Sequence, residues 1–308
     1  MSEALVSVVI PTYRRPAEVR EAALSALAQT YARVEVLVVS DGPDAEARAA
    51  VEGLDARLRY VELERNCGPA EARNVGVRES RGEWLTFLDD DDTMMPEKVA
   101  RQMALADATR PQRMISCRIY YCRDGRKDVH PSRPIGVDED VADYILLRPG
   151  LFARPGVLSL QSLLMHRSVL EAVPFATHRD HEDWAWLLEA WHLAGARVEF
   201  VWEALACYNI ATESVSRSRR VNWQDSLEWL RQYQMWIGGR AAASFLSTKV
   251  ALKAKRAGSG LRVVFAAMRK AQPGVLEWAF FAGIALLPSA LLQAAWKRSL
   301  QSAREVQR

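Results

Sequence analysis

The sequence predicts an α/β fold in which a mostly parallel central sheet is flanked by helices, followed by a helical C-terminal region. Three observations carry this reading. Short β-branched apolar runs alternate with stretches of helical composition up to the run Trp84–Leu88, the pattern of a sheet built from strand–helix–strand units. The earliest runs are apolar throughout rather than at every second residue, as in strands buried on both faces. Beyond Trp223 the strand pattern is lost, and the chain reads as helical and increasingly basic.

The elements follow in order. Leu5–Ile10 form a first strand, stopped by Pro11, and Val34–Val39 a second, stopped by Ser40-Asp41-Gly42-Pro43. Between them Glu18–Gln29 read as a helix, with Val19, Ala22, Ala23 and Leu27 on one buried face. Arg59–Leu63 give a short third strand, Ala70–Glu79 a helix and Trp84–Leu88 a fourth strand. Later come a helix over Pro96–Ala108, a strand over Met114–Cys122, a polar loop or hairpin over Arg123–Gly136 and a strand over Leu158–His166. An amphipathic helix over His181–Ala194 and a strand over Val198–Tyr208 complete the set. The chain divides accordingly into 1–220, with halves 1–110 and 111–220, and a helical region 221–308.

Composition bounds the function. The 308 residues carry a formal charge of +3, too little to suggest a nucleic-acid partner on bulk electrostatics. The four cysteines, Cys67, Cys117, Cys122 and Cys207, fit no zinc spacing. Their sparse placement suits a reducing compartment. The start MSEALVSVVIP lacks the basic residues and long apolar core of a signal peptide.

In parallel sheets ligands bind beyond the carboxyl ends of the strands. Pro11-Thr12-Tyr13, Asp41, Asn66-Cys67-Gly68 and the run Asp89-Asp90-Asp91-Asp92 all fall there. Four adjacent carboxylates repel one another, and the neighbouring sequence offers no cation. Two readings are open. One is a hard divalent cation bound through carboxylate oxygen together with substrate phosphates; the other is a solvated acidic turn, with Asp92 or Thr93 capping the next helix.

Four segments in order, VSVVIPTYRR (6–15), VEVLVVSDGP (34–43), NCGPAEARNVGVRESRGEWLTFLDDDD (66–92) and HEDWAW (181–186), resemble the family-2 inverting glycosyltransferases. These have a GT-A type nucleotide-sugar-binding fold, and the resemblance extends to about residue 210. It implies that 1–110 is the nucleotide-binding half and 111–220 the acceptor-binding half. It implies, too, that Pro11 and Tyr13 line the nucleobase pocket, that Asp41 accepts a hydrogen bond from the base, and that Arg73 lies near base and diphosphate. Asn66, Gly68, Asp90 and Glu182 join them as donor contacts. Asp89 and Asp91 match the D-x-D signature, with Asp91 the direct ligand of Mn²⁺ or Mg²⁺ and Asp89 beside the ribose or in the metal's shell. Asp183 matches the catalytic base. Taken singly, several have plainer readings: Asp41 as a turn residue, Glu182 and Asp183 as acids favoured at a helix start.

The implied activity is metal-dependent, inverting transfer of a sugar from a nucleotide-diphospho-sugar, a UDP-sugar first, to a hydroxyl of a glycan or lipid-linked saccharide. Such a role belongs to polysaccharide or cell-envelope synthesis. Two alternatives are a non-catalytic sugar-nucleotide-binding or scaffold relative and a sugar-phosphate nucleotidyltransferase. The latter needs a Gly-rich loop after the first strand, which PTYRRPAEV lacks. Many relatives carry a histidine where this chain has Ala211, with Thr212 and Ser216 as substitutes at hand. No Q-x-x-R-W signature stands in a convincing position, which favours transfer of a single sugar. Finally, Trp278–Trp296 contains no charge and is flanked by basic residues. This points to a protein peripheral at the cytoplasmic face of the inner membrane, with helices lying on an anionic surface; packed helices and a membrane span are the alternatives.

Overall fold

The computed structural model describes residues 4–123, 126–177, 180–210 and 222–288. The first four strands, β1 (Val6–Thr12), β2 (Val34–Ser40), β3 (Leu58–Glu62) and β4 (Trp84–Phe87), are parallel and lie in the order β3-β2-β1-β4. The sheet continues through β8 (Leu163–His166), β6 (Arg113–Arg123), β9 (Arg197–Asn209) and β5 (Thr93–Met94), with β7 (Arg126–His130) paired to β6 as a hairpin. Here the pairing turns mixed: β8 is antiparallel to β4 and β6, while β6 and β9 are parallel.

The apolar runs of β1 and β2 have a direct cause. Val6, Val8 and Ile10 pack with Val19, Ala22, Ala23 and Ala26 of helix α1 (Pro16–Leu27) on one face. On the other face, Val9 lies against Gly76 of helix α3 (Pro69–Glu79), where a Cβ on Gly76 would collide with the Val9 methyl. Both sheet faces are therefore covered, and polar side chains are driven to the strand ends. Prolines open α1 and α3, where their missing N–H costs nothing. Asp44 caps α2 (Ala45–Val51) by accepting from the Ala47 N–H at 2.9 Å.

The chain forms two compact units, one of residues 1–141 and 156–214, the other of 142–155 and 215–308. The first contains the sheet together with α4 (Lys98–Met103), α6 (Arg167–Ala172) and α7 (Glu182–Leu193). The second gathers α5 (Val141–Leu146), α8 (Trp223–Gln232), α9 (Gly239–Phe245), a π-helical turn (Leu246–Val250), α10 (Ala251–Arg256), α11 (Leu261–Lys270) and α12 (Val275–Leu286). Ala142–Pro155 thus join the C-terminal helices.

Several elements differ from expectation. Of Leu158–His166 only Leu163–His166 is strand, preceded by a 3₁₀ turn over Leu160–Ser162. The Pro96–Ala108 helix shortens to Lys98–Met103. Cys122 and Cys207 form a disulfide between β6 and β9, their Cα atoms 6.1 Å apart, whereas Cys67 and Cys117 are free; the sparse spacing that suited a reducing compartment did not disclose this pair. Two positions so far apart in sequence meet because β6 and β9 are neighbours. No helix among the described residues is long and apolar enough to cross a membrane. The helix within Trp278–Trp296 ends at Leu286, before Pro288, whose ring disfavours helix at the residue before it; residues 289–296, like Ala211, Thr212 and Ser216, lie outside the described residues.

Candidate active site

The ends of β1, β2 and β4 bring the sequence-predicted residues together. Asp41, almost wholly buried, takes the Cys67 N–H on Oδ1 at 2.6 Å and the Gly68 N–H on Oδ2 at 2.9 Å. It therefore ties the Asn66-Cys67-Gly68 turn to the end of β2. Spare lone pairs remain on the carboxylate. Gly42 has φ +120°, a conformation strained for any residue with a side chain, and the position its Cβ would take lies 3.2 Å from the Asn66 nitrogen, a tight approach. Pro11 is buried within β1, whereas Tyr13 is exposed beyond it. Asn66 is exposed as well.

The four aspartates alternate. Asp90 and Asp92 are buried, while the side chains of Asp89 and Asp91 remain 33% and 24% accessible. Asp90, expected among the donor contacts, is turned inward: Thr12 Oγ1 donates to its Oδ2 at 2.8 Å and Arg15 Nη1 to its Oδ1 at 2.8 Å. The same Arg15 nitrogen reaches Asp91 Oδ2 at 2.9 Å. Asp92 Oδ1 accepts from the Asn209 N–H at 2.7 Å, while its Oδ2 is buried without a hydrogen bond. The Asn209 side chain donates to the Asp91 carbonyl at 2.8 Å. Burial pushes the Asp90 carboxyl up to about 6. Burial, reinforced by the charge of Asp89, pushes Asp92 up to about 9.

The cation that the neighbouring sequence lacks comes from elsewhere. Besides Arg15, Arg73 of α3 is almost fully buried and spans the site: Nη2 donates to Asp89 Oδ1 at 2.9 Å and Nη1 to Glu182 Oε1 at 2.9 Å, with Asp183 Oδ1 at 3.7 Å. Burial opposes its charge, but Asp89, Asp183 and Glu182 outweigh it and hold the guanidinium above its ordinary range. Glu182 and Asp183 form the first turn of α7, whose N-cap His181 has a left-handed φ of 58° and stacks on Trp184 at 5.0 Å. Trp186 and Trp191 are core residues.

Asp183 combines two environments. Its Oδ1 is buried without a hydrogen bond, while the side chain as a whole is 38% accessible, so Oδ2 faces the open site. Burial pushes the carboxyl up to about 7, with Arg73 opposing and Asp89 and Glu182 adding to the shift. Such a carboxylate is tuned to accept a proton near neutral pH.

The donor set suits a hard divalent cation. Asp89 and Asp91 offer carboxylate oxygen at the accessible side of the loop, and each has one oxygen not engaged by the arginine it pairs with. Among the described residues no group of three or more His, Cys, Asp or Glu converges as a closed metal cage. Mg²⁺-like ions need none, since substrate phosphates complete their shell.

Sequence reasoning singled out neither Arg15 nor Asn209, whose contacts with the aspartates appear only in the fold. Arg15 stands inside the quoted PTYRR segment, and the uncompensated aspartates were the signal that could have led to it.

A family model described as "Glycosyl transferase family 2" matches residues 7–198. Among curated proteins, the chain is 38% identical over 122 residues to the succinoglycan biosynthesis protein ExoO of Rhizobium meliloti, covering 39% of this chain and 35% of that one. The first such relatives are thus matched over about a third of their length. Two solved structures share the fold. One is S. aureus TarS 1-349 in complex with UDP-GlcNAc, with TM-score 0.58 and 20% identity over 96% of this chain and 79% of that chain. The other is the mannosyltransferase PcManGT from Pyrobaculum calidifontis in complex with GDP-Man and Mn²⁺, with TM-score 0.58 and 19% identity over 98% and 86%.

Proposed function

Because the chain belongs to glycosyl transferase family 2, we propose that it moves one sugar, with inversion, from a nucleotide-diphospho-sugar to a hydroxyl of a glycan or lipid-linked saccharide. A UDP-sugar is the favoured donor. The observation that carries this reading is Asp183, one oxygen open to the site and the carboxyl tuned to about 7, held beside Asp89 by Arg73. Tyr13 offers a ring on which the nucleobase stacks, and Asp41 fixes the turn that flanks the base. When bound, Mn²⁺ or Mg²⁺ on Asp91, with Asp89 alongside, supplies positive charge that stabilises the departing diphosphate. Arg15 and Arg73 add fixed positive charge on either side of that loop. Asp183 Oδ2 takes the proton of the acceptor hydroxyl as its oxygen attacks the anomeric carbon from the face opposite the diphosphate. That carbon inverts, and no covalent nucleophile is needed.

Asp183→Asn retains shape but not basicity. We expect donor affinity to stay within about threefold while transfer falls by roughly 10²–10⁴. Undiminished transfer sinks the assignment. Titration of UDP, GDP, dTDP and CDP, each with and without Mn²⁺, names the donor class; tight binding independent of metal and of Asp91→Asn counts against the metal role.

The relatives include a succinoglycan biosynthesis protein, which supports a role in polysaccharide assembly. We place the enzyme at the cytoplasmic face of a membrane, its basic C-terminal unit against an anionic surface.

A further inference from the structure

The two units are oppositely charged. The C-terminal unit carries 18 Lys and Arg against 5 Asp and Glu, formally +13, and the sheet unit 23 against 33, formally −10. An asymmetry of this size points to an anionic partner for the basic half. Within that half the cations are not spread evenly. Lys249 lies in the π-helical turn Leu246–Val250, a local widening frequent at functional sites. Lys253 follows in α10, and Arg148 and Arg154 bracket the segment after α5.

This segment is tied to the helices. The Arg148 N–H donates to Ser244 Oγ at 2.9 Å, and its guanidinium lies 4.6 Å from the centre of the Phe280 ring. Arg148 Nε is buried and makes no hydrogen bond. Lys253 Nζ donates to Ser226 Oγ at 2.8 Å. Burial, then the charges of Lys253, Arg148 and Arg154, pull Lys249 below the ordinary lysine range; burial and Arg154 do the same to Arg148. Cations gathered like this raise one another's free energy, and a bound anion relieves it. Between the two arginines the chain presents Leu151 and Phe152, the latter 94% exposed. An apolar tip flanked by arginines fits a boundary between headgroups and acyl chains.

We propose that Arg148, Arg154, Lys249 and Lys253 form a site for the phosphate of an anionic lipid headgroup, with Leu151 and Phe152 entering the bilayer beside it. The site rests on, and gives residues to, the membrane contact proposed above.

The test is co-sedimentation of the full chain with vesicles of phosphatidylcholine, with and without phosphatidylglycerol. Wild type binds the anionic vesicles. Lys249→Met/Arg154→Gln weakens this at least about tenfold, since each basic residue near an anionic surface contributes appreciably. A charge-matched control, Arg231→Gln/Arg256→Gln, weakens it less than about threefold. Phe152→Ser weakens it without changing charge. Donor binding and the thermal melt report that each variant is folded. Equal losses in the two double variants reduce the effect to bulk charge and overturn the site, leaving the membrane contact standing. Failure of wild type to bind either vesicle overturns both. Saturable binding of inorganic pyrophosphate, lost in Lys249→Met/Arg154→Gln but without vesicle binding, assigns the cluster to a soluble anion and overturns the lipid.

Discussion

Arg73 shows how a single side chain sets the chemistry of its neighbours. It is nearly inaccessible and faces three carboxylates, Asp89, Glu182 and Asp183. Replacing it by Met leaves those charges facing one another, and removing one partner of a buried ionic group typically costs about 3–5 kcal/mol. Urea melts measure this, and Arg73→Lys should recover part of the loss. The sign of the kinetic effect follows from the same contacts. A general base works ionised, so transfer rises with pH through about 7, the value to which burial pushes Asp183 against the pull of Arg73. Without the guanidinium the acidic limb moves to higher pH. An unmoved limb in Arg73→Met would exclude Asp183 as the titrating group. At the aspartate loop, EDTA should abolish transfer and Mn²⁺ or Mg²⁺ restore it, with circular dichroism unchanged; full activity in EDTA counts against metal dependence.

At the scale of elements, close packing positions the site. Helix α3 can bring Arg73 over the strand ends only because Gly76 lets it lie against Val9. Gly76→Ala adds one methyl where the stiff valine cannot turn away, and overpacking of this kind costs about 1–3 kcal/mol; an unchanged melting midpoint would show that the helix shifts freely. Asp44 joins α2 to the site, since its Oδ2 also accepts the Arg14 N–H at 3.0 Å, next to Tyr13 and Arg15. Below the loop, Lys98 of α4 is fully buried and donates to Thr86 Oγ1 at 2.9 Å and Gln102 Oε1 at 2.8 Å. Burial pulls its pKa down from 10.5 to about 8, with Cys117 opposing. Between those values the unfolded chain binds more protons than the folded one, so stability rises with pH over that window and the full penalty applies below it. Lys98→Met should flatten the rise in urea midpoints between pH 8 and 10; a wild type with no rise would show that the lysine is not destabilised.

For the molecule as a whole, the sequence by itself determined the parallel half of the sheet and the order of its helices. Burial on both faces writes itself locally, as uninterrupted β-branched runs that need no partner to be read. It also pointed to Tyr13, Asp41 and the aspartates as neighbours, because the carboxyl ends of parallel strands lie along one edge of the sheet; Asp183, in the first turn of α7, was reached only through the family resemblance. Only the tertiary structure decided which aspartates face inward, since Asp90 and Asp92 are chosen by Thr12, Arg15 and Asn209, up to 117 residues away. The same holds for the pairing of Cys122 with Cys207 and for the passage of Ala142–Pro155 into the C-terminal unit, which brings Arg148 and Arg154 to Lys249. Charge compensation and contact depend on distance in space, and a chain records distance only along itself.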